Sequence, residues 1–159
     1  MSTALHGARH KMEAEKNKLA GKRVLVVDDD AAIVQLLSDI FVYFQATVKT
    51  ASTGSQMLEM IKEESFDLII LDLRLPDMCG WNILQQMEQS QPEIAERIIL
   101  LTGDQYNFDT QKFIKNTHYN VVLKPFEIDA LRNLAERISC SFGPGHPPQE
   151  DSPTPSKAA

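Results

Sequence analysis

The chain has 159 residues, enough for one domain with a core of its own and not for two of ordinary size. Its 16 Lys and Arg stand against 22 Asp and Glu, a formal charge of −6, which argues against a general binder of nucleic-acid phosphates. No apolar run approaches the roughly 18 residues of a membrane span, and the first 22 residues lack the apolar stretch of a signal peptide, so the expected compartment is the cytoplasm. Cys79 and Cys140 lie far apart with no CxxC spacing, which favours reduced thiols over a disulfide or a zinc site.

Taken in order, residues 1–21 are polar and short of large apolar groups, and are expected to form a flexible head. A short apolar run, VLVV at 24–27, predicts the first strand. Ile33, Leu36, Leu37, Ile40, Phe41 and Phe44 then recur at three- and four-residue steps, one stripe of a helix that Asp30 is placed to cap. TVKTA at 47–51 alternates strictly, as an edge strand would, and Met57, Leu58 and Ile61 mark a second helix. The runs FDLIIL (66–71), IILL (98–101) and VVL (121–123) predict three more strands. Ile83, Leu84 and Met87 mark the helix after the third strand, with Trp81 as its anchor. Residues 107–118 are helical by pattern, and Ile128, Leu131, Leu134 and Ile138 form the last stripe. Residues 143–159 hold five of the eight prolines and no large apolar side chain, the composition of a disordered tail.

Near-continuous apolar runs suit strands buried on both faces, so the alternation predicts a doubly wound α/β domain: a five-stranded parallel sheet with helices on both faces and right-handed crossovers. Ligands of such sheets bind beyond the carboxyl ends of the strands. There the sequence places Asp28-Asp29 after the first strand, Asp72 after the third, Thr102-Gly103 after the fourth and Lys124-Pro125 after the fifth. Carboxylates crowded together raise one another's pKa unless they share a cation, and oxygen-only ligands suit Mg²⁺, so Asp28, Asp29 and Asp72 form a candidate magnesium site. A cation there could neutralise a phosphoryl group whose oxygens Thr102 and Lys124 hold, with Asp72, alone at the end of the central strand, as in-line nucleophile. Arg74 and Asp104 each lie two residues beyond a site residue, and their side chains are expected to meet as a lid that hinders the hydrolysing water.

The motifs VLVVDDD, DLIILDLRLPDMCG, IILLTG and LKPF, in that order, resemble the receiver domains of two-component response regulators over roughly residues 22–140. The resemblance implies a flavodoxin-like sheet of order 2-1-3-4-5 and a receiver domain at 22–142. It further implies that Asp72 accepts phosphate from a histidine kinase or phosphotransfer protein, with Asp28, Asp29 and the Arg74 backbone carbonyl arranging Mg²⁺. Thr102, Gly103 and Lys124 would bind and report the phosphoryl group, and the Lys124–Pro125 peptide would be cis. Where the family carries an aromatic residue three places before the lysine, this chain has Val121, and Tyr119 lies two residues earlier. The glycine common before the last strand is also absent, which leaves Asn116 or Asn120 to supply a left-handed turn.

Only 17 residues follow position 142, so output is expected through a downstream protein partner rather than an attached effector, with no direct nucleic-acid contact. Two other functions compete. A binding module of the same fold that is never phosphorylated ranks second. A phosphatase of the haloacid dehalogenase type ranks third, since Asp28 and Asp30 match its D-x-D pattern but Ala32 does not. Asp77, Gly80 and the proline between Leu75 and Asp77 are read as shaping the loop after the third strand. His6 and His10 have metal-like spacing without a third ligand, and His118 and His146 have no evident partner.

Overall fold

The computed structural model describes residues 17–142. The head before Asn17 and the stretch 143–159, with His6, His10 and His146, lie outside the described residues. Successive side chains of a strand point to opposite faces, and in β1 (Arg23–Val27) both faces are buried: Leu25 and Val27 join one apolar cluster, Val24 and Val26 the other. β3 (Leu68–Asp72) and β4 (Ile98–Thr102) divide in the same way, with Ile69, Leu71, Ile98 and Leu100 on the first side and Leu68, Ile70, Ile99 and Leu101 on the second. That double burial is why these runs are continuous in sequence instead of alternating. With β2 (Thr47–Ala51) and β5 (Asn120–Leu123) at its edges, the sheet is parallel throughout and ordered β2-β1-β3-β4-β5.

Helices cover both faces. α1 (Ala31–Tyr43) and α6 (Ile128–Ser141) lay Leu37, Phe41, Leu131, Ala135 and Ile138 on the second cluster. α2 (Gly54–Glu63), α3 (Gly80–Ser90) and α5 (Phe108–Asn116) cover the first with Met57, Ile61, Ile83, Leu84, Met87 and Phe113. A single turn, α4 (Pro92–Ala95), precedes β4. The fold is therefore the doubly wound, flavodoxin-like α/β sheet.

Four local readings change. β5 has the apolar run of a strand buried on both faces, yet at the edge that the order 2-1-3-4-5 implies it is only half-buried. The third strand begins at Leu68, not Phe66: Phe66 is buried, but its carbonyl accepts from the Arg97 guanidinium at 2.9 Å instead of joining the sheet. Neither Asn116 nor Asn120 is left-handed. α5 ends at an extended Thr117, whose hydroxyl accepts from the Tyr119 N–H at 3.2 Å, and among the described residues the left-handed non-glycine one is Gln45, after α1.

The head also gives way before residue 21. Leu19 is fully buried in the second cluster, Asn17 donates to the Phe44 carbonyl at 3.0 Å, and the Gly21 N–H donates to Gln45 at 2.9 Å. Residues 17–21 thus close one end of the core. Leu19→Ala should lower stability by about 2–4 kcal/mol, the range for a buried leucine. Urea unfolding would check it; a loss of only a few tenths would mean that this segment does not contribute to the core.

Candidate functional site

Register brings the strand ends level. Val27 pairs with Leu71, Asp72 with Leu101, and Thr102 with Leu123, so Asp28, Asp72, Thr102 and Lys124 gather at one carboxyl edge. Asp28 is buried and held from two sides: Oδ1 accepts from the Asp30 N–H at 2.9 Å and Oδ2 from the Lys124 ammonium at 2.8 Å. The same ammonium lies 3.7 Å from Asp72 Oδ1. Asp29 is exposed. Asp30 turns away, its carboxylate capping α1 through the Ala32 N–H at 2.9 Å, so the D-x-D pattern does not assemble into one site.

Carboxylate oxygens of Asp28, Asp29 and Asp72 lie within 4.8 Å of one another. Burial pushes Asp72 up to about 6; the Asp28 charge adds to the rise and Asp29 adds less, while Lys124 and the Arg74 backbone N–H oppose it. One ammonium does not offset three carboxylates. Hard, anionic oxygens converging with one arm open to solvent fit a small divalent cation such as Mg²⁺, which would favour ionised Asp72. These residues fit the group.

Thr102 is buried, and its hydroxyl oxygen accepts from the Asp104 N–H at 3.2 Å. Gly103 faces the aliphatic stem of Lys124, where an added Cβ would make ordinary contacts at 3.7 and 3.8 Å, so nothing steric demands glycine there. Gly80 is different: a Cβ would fall 2.7 Å from the Asp72 carbonyl, so only glycine lets α3 start against the end of the acceptor strand. The Arg74 guanidinium bonds the Asp104 carboxylate over the same edge. The Lys124–Pro125 peptide is cis.

Other residues singled out in the sequence lie away from this edge. A cavity of about 560 Å³ opens between α3 and α5, where Trp81 packs on Phe113 with ring centroids 5.6 Å apart. His118, expected to have no partner, stacks on Tyr119 at 4.0 Å. Tyr119 and Val121 pack against the same apolar cluster. Cys79 and Cys140 are free thiols. Sequence reasoning missed one contact at the site's border: Asp77 leaves its own loop to bond the start of α2. Its partners lie 22 and 23 residues earlier, and no local pattern reveals such a pairing.

A doubly wound sheet with an acidic triad, a buried threonine and a lysine at its carboxyl edge is the arrangement that the resemblance to receiver domains implies. The sequence model of the response regulator receiver domain matches residues 24–136, and the chain belongs to that family. Two-component response regulator ARR12 of Arabidopsis thaliana is 29% identical over 129 residues, which cover 80% of this chain and 21% of the plant protein. The chain thus spans about a fifth of that relative. Among solved structures, a CheY-like response regulator receiver domain protein from Methanospirillum hungatei is 30% identical with a TM-score of 0.64, covering 75% of this chain and 94% of that one. The receiver domain of sensor histidine kinase PA1611 from Pseudomonas aeruginosa, described with a magnesium ion in its active-site cleft, shares the fold at 21% identity and a TM-score of 0.66, covering 76% and 99%. Among the described residues no helix is long and apolar enough to cross a membrane.

Proposed function

We propose that this receiver takes a phosphoryl group onto Asp72 from a phosphohistidine of a histidine kinase or phosphotransfer protein, and signals by binding a downstream protein in a phosphorylation-dependent way. The observation that carries the reading is the convergence of Asp28, Asp29 and Asp72 within 4.8 Å beside the Lys124 ammonium. The unit that would do this runs from Asn17, through the receiver stretch 22–142, to Phe142.

In the proposed step an ionised Asp72 oxygen attacks phosphorus in line with the histidine nitrogen. The new O–P bond forms as the N–P bond breaks, and its electron pair returns to the imidazole. Lys124, already near both Asp28 and Asp72, pairs with a phosphoryl oxygen, and the Thr102 hydroxyl turns from the Asp104 N–H to donate to another. Mg²⁺ held by Asp28, Asp29, Asp72 and the Arg74 carbonyl would supply positive charge for the incoming oxygens. The chain catalyses only the gain and loss of its own phosphoryl group.

Acetyl phosphate with Mg²⁺ should add one phosphoryl group that alkali removes, and excess EDTA should prevent it. Failure to label, with the fold intact, would favour the module that binds without phosphorylation.

The Arg74–Asp104 bridge bears on how long the label lasts. With Arg74 64% and Asp104 30% exposed, it contributes about 0–1 kcal/mol to stability, so its effect is on access. Arg74→Ala should speed dephosphorylation several-fold by admitting an aligned water, and the gain should shrink when Asp104→Ala is already present. Decay rates in the four variants decide it; strictly additive effects would remove the lid.

A further inference from the structure

The loop between β3 and α3, residues 73–79, carries both the Arg74 carbonyl assigned to the cation and the Arg74 guanidinium of the bridge. Its shape is fixed internally. Arg74 and Cys79 form an antiparallel bridge, the Leu75 N–H donates to the Met78 carbonyl at 3.3 Å, and the Gly80 N–H donates to the Leu73 carbonyl at 2.8 Å. None of these bonds sets where the loop tip sits relative to the rest of the fold.

Asp77 at that tip does. Its Oδ1 accepts from the Gly54 N–H at 2.8 Å, and its Oδ2 accepts from the Ser55 N–H at 2.9 Å and the Ser55 hydroxyl at 2.7 Å. These are the first two backbone donors of α2, which an intrahelical partner never satisfies. Thr53, the helix's own cap, takes only the Gln56 N–H, at 3.1 Å. The fit is close: an added Cβ at Gly54 would lie 2.4 Å from Met78 Cγ, so the Met78 side chain packs on bare glycine backbone.

We propose that Asp77 is a positioning residue for the acceptor site. By fastening the loop tip to α2 it holds the Arg74 carbonyl where a divalent cation can reach it together with Asp28, Asp29 and Asp72. The proposal rests on the metal site under Proposed function. The competing account is that Asp77 merely caps α2. Thr53 separates the two, because its side chain caps the same helix through the Gln56 N–H and not through a bond to the loop.

The test is a Mg²⁺ titration of the full chain, followed calorimetrically beside thermal unfolding without metal. Asp77→Ala should raise the Mg²⁺ dissociation constant about tenfold, the loss expected for a group that orients a ligand. Asp77→Asn, which keeps one acceptor oxygen, should recover part of it, and Thr53→Ala should lower the unfolding temperature while leaving Mg²⁺ affinity at the wild-type value. A wild-type dissociation constant in Asp77→Ala overturns the positioning role, as does an equal loss in Thr53→Ala. If the wild type binds no Mg²⁺, the metal site itself fails and this inference with it.

Discussion

Asp72→Asn should take no phosphoryl group from acetyl phosphate and, without divalent cations, should be more stable at pH 7 than the wild type. Loss of labelling follows because the amide is not a nucleophile at this position. The gain in stability follows from burial. Asp72 sits at about 6 in the folded chain against an ordinary 3.8, so between those values the folded state binds the extra proton. Stability contributed by this group therefore falls as pH rises from about 4 to 6, and the full penalty is present at pH 7. A shift of that size, in which the attraction to Lys124 is already included, is on the order of 3 kcal/mol, and solvent screening at a partly exposed site lowers it, so about 1–3 kcal/mol is expected. Urea unfolding in EDTA at pH 4 and pH 7 would show the variant's advantage only at pH 7. A variant less stable at both would mean that Asp72 is not under electrostatic strain.

Asp29→Ala should abolish Mg²⁺-dependent labelling without unfolding the chain. Asp28 is structural as well as acidic, since it accepts from both Asp30 and Lys124. Asp29 makes no hydrogen bond or ion pair among the described residues and is exposed, so its removal leaves the apo fold nearly untouched. Its one expected contribution is a ligand oxygen. Mg²⁺ affinity should fall at least tenfold by calorimetry, with the unfolding temperature in EDTA unchanged. Wild-type affinity would place the cation elsewhere.

Both variants concern residues legible from the sequence, and the reason is geometric. Double burial forces β1, β3 and β4 into unbroken apolar runs, and the first polar residue after each run is delivered to one edge. Asp28, Asp72 and Thr102 are readable because they end strands. Leu19 was not readable, since one leucine in a polar stretch carries no period, yet its burial depends on joining the cluster that the sheet, α1 and α6 build. Gln45 in a left-handed conformation violates the preference for glycine or asparagine that pointed to Asn116 and Asn120. α4 is a single turn, too short for any periodicity. Asp77 lay in a motif read as loop-shaping, because its bonds to Gly54 and Ser55 exist only after the loop and α2 have packed.

The central claim is that Asp72 is the residue that carries phosphate. Wild-type chain treated with acetyl phosphate and Mg²⁺ can be reduced with borohydride, which converts an acyl phosphate to an alcohol at the modified side chain. Peptide mass spectrometry then reads the position. The account predicts reduction at residue 72 alone, dependent on both acetyl phosphate and Mg²⁺. Reduction at Asp28, Asp29 or any other carboxylate, with residue 72 unmodified, would contradict it.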